Sequence, residues 1–208
     1  MRLRGLIKKD LYSVWQHCRL TLAMVLFFFL AYFEGEGAQY FLIYPALSVS
    51  FIPATLCGID EKSNWERYAL SLPVSRTQLV SVKYLIGVIL NIITIILMSM
   101  NYLKNNLFID TFSWEMFVGL FSYSIALAFL SPAMSLPFIF KYGSEKGRTM
   151  SFVSTTIVCI LAATMLVGGT EEIIINYFVA YTGLALFALI AYFISWIISI
   201  KIYKRRDF

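Results

Sequence analysis

The side chains able to do chemistry are few and scattered. The single histidine, His17, lies near the N-terminus. The three cysteines, Cys18, Cys57 and Cys159, are far apart and lack the paired Cys and His spacing of a tetrahedral zinc site. Small apolar packing residues are the expected role of all three. Acid pairs occur at Asp60-Glu61 and Glu171-Glu172; gathered at a membrane surface, such carboxylates could serve acid–base chemistry on a lipid. No nucleophile stands beside a base in sequence. The stretch Gly143-Ser144-Glu145-Lys146-Gly147 has the glycines and lysine of a phosphate-cradling loop but not its Gly-x-x-x-x-Gly-Lys-Ser/Thr spacing. The densest polar chemistry lies in one loop, residues 60–83, and its setting decides what it does.

That setting is lipid. The chain has 208 residues, of which 60% are hydrophobic and 14% charged, against about 45–50% and about 25% in a soluble domain. Six apolar stretches lack Asp, Glu, Lys and Arg: residues 20–33, 39–58, 84–103, 116–140, 149–167 and 173–200. A helix crossing roughly 30 Å of hydrocarbon needs about 20 residues. The fold class expected is therefore all-α integral membrane, a single transmembrane domain of six spans over 1–208. The first stretch is short and must extend past Arg19, whose side chain can snorkel, or into 34–38. The last is long and must tilt, bend or begin with an interfacial or re-entrant piece over 173–177.

Six spans put both termini on one side, and the charges say which. Sixteen of the 17 Lys and Arg fall in the N-terminal segment, the second-to-third loop, the fourth-to-fifth loop and the tail; Lys104 alone falls opposite. The acidic residues divide evenly, six to each side. The positive-inside rule places both termini in the cytoplasm. The net charge of +5 then reflects topology, and no nucleic-acid partner is expected. No span carries a formal charge beyond the boundary at Arg19, which argues against proton relays and voltage sensors.

Residues 1–19 read as an interfacial elbow helix. Leu3, Ile7, Leu11, Val14 and Cys18 fall within about an 80° arc at 100° per residue, interrupted by Asp10. Pro45 and Pro53 fall in the second span and Pro132 and Pro137 in the fourth; each strips a carbonyl of its partner, which must be supplied from elsewhere. Ser124, Ser131 and Ser135 share one face of the fourth span. They would form a polar wall of a translocation path, or else bond back to their own helix and allow close packing, the commoner case. Phe108, Phe112, Trp114, Tyr177 and Phe178 are expected as outer-interface anchors.

In the loop, Ser63-Asn64-Trp65-Glu66 fits a capping box and Pro73 disfavours helix at Leu72, which predicts a two-turn helix over 64–71. Ser75-Arg76-Thr77-Gln78 is a second capping box and starts the third span. A two-turn helix is marginal alone. Trp65, Tyr68, Ala69 and Leu70 beside Glu66 and Arg67 suit a protein-partner surface, or packing against the chain's own membrane base.

Asp60-Glu61-Lys62-Ser63-Asn64-Trp65-Glu66-Arg67-Tyr68-Ala69-Leu70-Ser71-Leu72-Pro73-Val74-Ser75-Arg76, followed by Lys83-Tyr84, resembles the first cytoplasmic loop of permease subunits of type-2 ATP-binding-cassette (ABC) exporters. Gly5-Leu6-Ile7-Lys8-Lys9-Asp10-Leu11-Tyr12 is similar to their elbow helix. Within the family the chain most resembles small bacterial permeases that serve peptide export or peptide-antibiotic resistance. The resemblance implies a coupling helix between spans two and three, with Asp60, Glu61, Ser63, Asn64, Trp65, Glu66, Arg67 and Tyr68 docking a cytoplasmic ATPase subunit. That subunit would hold ATP and Mg; this chain would hold no cofactor. The resemblance further implies a second permease copy, identical or a close paralogue, in the bacterial cytoplasmic membrane, with an amphipathic peptide or lipid as substrate. Loop 141–148 would be a second ATPase contact or simply a basic inside loop. Two other classes share this topology: a membrane-embedded lipid-processing enzyme, built on the acid pairs, and a non-transporting immunity or assembly protein.

Overall fold

The computed structural model describes residues 2–30, 43–106, 114–147, 149–150, 152–153, 155–157 and 174–205, and no strand occurs among them. The helices are α1 (Arg2–His17), α2 (Arg19–Leu30), α3 (Ile43–Ser50), α4 (Ile52–Lys62), α5 (Trp65–Ser71), α6 (Arg76–Asn106), α7 (Trp114–Tyr142) and α8 (Ile174–Lys204). Three are long and apolar enough to cross a membrane, over Arg76–Lys104, Phe117–Tyr142 and Tyr181–Lys204. They match the third, fourth and sixth expected spans. α8 runs unbroken from Ile174, so no separate piece begins over 174–177. Apolar residues surround α8, and Leu186, Phe187, Ile190 and Phe193 are exposed on it, as befits a helix whose solvent is lipid.

The remaining spans are only partly described. α1 and α2 bend by 75° at Cys18 and together meet the length and hydropathy of one broken span. The second expected span is α3 and α4, interrupted at Phe51, with Pro53 in the first turn of α4. Proline is tolerated at that position because it has no N–H to satisfy. Most of the fifth span lies outside the described residues, as do the expected anchors Phe108 and Phe112 and the acid pair Glu171-Glu172.

Local chemistry explains the boundaries. The second capping box forms: Ser75 Oγ accepts from the Gln78 N–H at 3.2 Å, and Gln78 Oε1 accepts from the Ser75 N–H at 3.1 Å. The first does not. The N-cap of α5 is Asn64, in the left-handed region at φ 53°, with no side-chain cap bond. The Ser63 hydroxyl instead donates back to the Asp60 carbonyl at 3.2 Å. Asn tolerates the left-handed region better than most residues, and the turn it makes separates α4 from α5.

Pro132 lies inside α7 without ending it. Its missing N–H would have bonded the carbonyl of Ala128, four residues back. Asn91 of α6 donates its Nδ2 to that carbonyl at 2.8 Å, so a neighbouring helix replaces the lost bond. The Asn91 side chain is fully buried, and its Oδ1 has no hydrogen-bond partner.

α6 is the shared wall of two cores. Val80 and Tyr84 face one, with Phe129, Phe140, Tyr192 and Tyr203 of α7 and α8. Val82 and Ile86 face the other, with Leu6, Val14, Val25 and Leu56 of α1, α2 and α4. The most extensive packing is between α7 and α8. Gly87 lets α6 approach closely: a Cβ there would sit 2.9 Å from both the Pro53 ring and the Tyr192 hydroxyl.

Candidate functional site

Asp60 of the loop converges with side chains of the elbow helix and of the third expected span, a meeting that sequence reading did not foresee. Lys9, Asp10, Asp60 and Lys83 form a ring of alternating charge. The Lys9 ammonium contacts Asp10 at 2.9 Å and also binds Asp60. The Lys83 ammonium contacts Asp10 at 2.8 Å and Asp60 at 2.5 Å. Asp10 is 3% exposed, and Asp60 and Lys83 6% each. Two cations and two carboxylates sum to zero, the condition under which charges tolerate burial. The ring joins α1, the end of α4 and the first turns of α6.

This places Asp10 at the centre of the buried face of α1, flanked by Leu6 and Val14, while Leu11, expected on that face, is exposed. The buried face is thus rotated by only about 40° from the expected arc, with Val14 and Cys18 common to both, and pairing with Lys83 lets Asp10 tolerate burial there. Asp60, expected among the ATPase-docking residues, points inward to the same ring.

The other docking candidates divide by exposure. Glu61 Oε2 accepts the Ser144 backbone N–H at 2.6 Å. Gly143, at φ 89°, is the single non-helical residue between α7 and the helical residues that follow. Of the expected basic loop over 141–148, the described residues 141–147 are helical on both sides of Gly143, and Glu61 fastens this turn to the end of α4. Trp65 is half-buried, with the Lys9 ammonium 4.5 Å from its ring centre and the Tyr68 ring at 5.4 Å. Ala69, one turn on, is fully buried. Lys62, Ser63 and Asn64 are exposed, and Tyr68 is 59% exposed. The side chains of Glu66 and Arg67 lie outside those described. α5 therefore has an inner edge at Trp65 and Ala69 and an outer surface at Tyr68 and the 62–64 turn.

The serines of the fourth span are buried within the chain. Ser124 Oγ donates to the Leu120 carbonyl of its own helix at 2.8 Å. Ser131 Oγ lies 2.9 Å from Thr155 Oγ1. Ser135 is buried as well. A second polar knot was not foreseen: the Tyr84 hydroxyl lies 2.8 Å from Ser195 Oγ and 2.7 Å from Ser199 Oγ, tying α6 to α8. Among the described residues, no group of three His, Cys, Asp or Glu side chains is placed to hold a metal. Burial pushes the Cys18 thiol above its usual pKa, which keeps it protonated and inert at neutral pH.

The described residues are thus helical, with apolar helices of spanning length and a buried polar joint between α1, α4 and α6. The family described as ABC-2 family transporter protein matches residues 5–204, nearly the whole chain, and the protein belongs to it. Membership makes the chain a transporter permease subunit and implies, in general, an ABC ATPase partner. No curated protein and no solved structure matches the chain.

Proposed function

We propose that this chain is the transmembrane subunit of an ATP-driven exporter in the bacterial cytoplasmic membrane. In this reading it has six spans with both termini cytoplasmic, and α1 is the elbow helix. Two permease copies, identical or closely related, line a path for an amphipathic substrate, in the first instance a peptide. A cytoplasmic ATPase subunit, holding ATP and Mg, docks on α5 and the turn before it.

The observation that carries this reading is the way α5 is mounted. Its outer surface, Tyr68 with Lys62 and Asn64, is open to a partner. Its inner residue Trp65 lies against Lys9, and Lys9 belongs to the ring that holds α1, α4 and α6 together. A push on α5 thus meets three membrane segments at once. Glu61 adds a fourth through the turn at Gly143 and Ser144. Interior packing of this kind transmits displacement because it is dense and resists compression. Asp60, Glu61 and Trp65 act as ties within the chain, and Tyr68 and the 62–64 turn as the contact.

The test is reconstitution with the cognate ATPase. Tyr68→Ala combined with Lys62→Glu removes an exposed aromatic anchor, of the kind that often costs at least 2 kcal/mol, and reverses a charge. Substrate-dependent transport should fall by about tenfold or more, with insertion and melting temperature unchanged. Transport at the unsubstituted rate would remove α5 as the docking element.

A further inference from the structure

An apolar groove of about 380 Å³ runs between α6, α7 and α8 and opens on the outer surface of the bundle. Its walls include Ile92 and Ile96 of α6, Ile125 and Phe129 of α7, and Phe193 and Trp196 of α8. The polar atoms of its aromatic residues are turned away and paired. The Tyr192 hydroxyl donates to the Tyr84 carbonyl at 2.8 Å, and Trp196 Nε1 donates to Ser81 Oγ at 3.1 Å. Nothing in the walls could satisfy a peptide backbone, whose unpaired N–H and C=O groups are costly in such a place. A hydrocarbon chain has no such groups. At roughly 30 Å³ for a particle the size of a water, the groove takes about a dozen methylene-sized units.

A cation lies beyond the Trp196 end of the groove, outside its lining. Arg76 donates an Nη1 hydrogen bond to the Lys204 carbonyl at 3.0 Å, bringing the start of α6 against the end of α8. Lys204 itself is exposed. It lies eight residues beyond Trp196, about 12 Å along the helix, and eleven residues beyond Phe193, so it projects within about 20° of the same face. The spacing of apolar channel, tryptophan and cation follows the depth profile of one membrane leaflet.

We infer that the groove binds one acyl chain of an anionic glycerophospholipid from the leaflet nearest Arg76, with its phosphate at Lys204. Charge complementarity selects this occupant over a second copy of the chain in the same membrane orientation, which would bring another Lys204 to the same depth. The inference rests on the membrane reading and on the orientation proposed above, and uses neither the ATPase nor the substrate.

The full chain, with whatever partner co-purifies, is placed in nanodiscs of phosphatidylcholine doped with a photoreactive acyl-chain phosphatidylglycerol. Labelling is mapped by mass spectrometry and compared with the same probe on phosphatidylcholine. Labelling should concentrate on residues 88–96 and 189–196 and favour the anionic probe. Lys204→Gln should reduce that preference by about fivefold. Ile92→Trp, which fills the groove, should abolish the local labelling while leaving the melting temperature within a few degrees. Uniform labelling along α8, or labelling blind to headgroup and to Lys204→Gln, would overturn the site in favour of bulk lipid solvation. Cross-links through Ile96 between two copies would overturn it in favour of a dimer contact. Tyr68→Ala should leave the labelling unchanged, so failure of the docking proposal and failure of this one read differently.

Discussion

Replacing Lys83 by methionine tests whether neutrality of the buried ring holds the site together. At 2.8 Å, an ion contact is worth about 6 kcal/mol at an effective dielectric of about 20. Desolvation of several kcal/mol for each ion offsets most of this, so the intact ring is close to break-even. Removing one member is different. Lys83→Met leaves Asp10 and Asp60, both nearly inaccessible to water, sharing the single cation Lys9. An unpaired buried charge costs about 3–5 kcal/mol. For a chain of this length, that shifts apparent melting by roughly 6–20 °C. The compensated variant Lys83→Met with Asp10→Asn restores neutrality around the Lys9–Asp60 pair and should recover at least half of the loss. The assay is thermal unfolding in detergent with both variants side by side. A loss below about 1 kcal/mol for Lys83→Met, the value of an exposed pair, would refute the reasoning, because it would mean that water reaches the ring. So would a double variant as unstable as the sum of its parts.

Three other outcomes follow from described contacts. Asn91→Leu should cost about 1–3 kcal/mol by stranding the Ala128 carbonyl, and Pro132→Ala in the same chain, which returns the helix N–H, should restore most of it in a double-mutant cycle. Gly87→Ala should cost about 1–3 kcal/mol, because the new methyl group meets Pro53 and Tyr192 at 2.9 Å; thermal unfolding reads the loss. Cys18 should resist alkylation at pH 7 and react faster as pH rises toward its raised pKa, and unfolding in denaturant should bring the rate up to that of an ordinary thiol.

What could be read from the sequence was what depends on short-range chemistry. The Ser75–Gln78 box, the helix over 64–71 stopped before Pro73, and the long spans of α6, α7 and α8 all follow from patterns within a few turns. The Ser63 cap failed because Ser63 closes the preceding helix as its C-cap, and α5 begins one residue later than the box requires, after Asn64 in the left-handed turn. The ring was invisible for a different reason. Lys9, Asp10, Asp60 and Lys83 lie on three segments, and each alone looks like an ordinary charge at the edge of an apolar run. Only the break that Asp10 makes in the apolar face of α1 hinted that this face meets an opposite charge. Asn91 carried a comparable hint, as an amide in the middle of a span that faces a span with two prolines.

The bonds of Tyr84 have a bearing on synthesis. Every residue of the charged ring has been made once position 83 is added, so α1, α4 and α6 can settle well before the chain is finished. The hydroxyl beside it waits for Ser195 and Ser199, 111 and 115 residues later. At about 5–20 residues per second, the interval is roughly 6–23 s. Through that time α6 stands in the bilayer with one flank matched and the other open, and α8 arrives as the keystone. A nascent chain stalled before residue 195 would keep its charged base intact while leaving this tyrosine to the insertion machinery, to lipid-borne water or to a membrane chaperone.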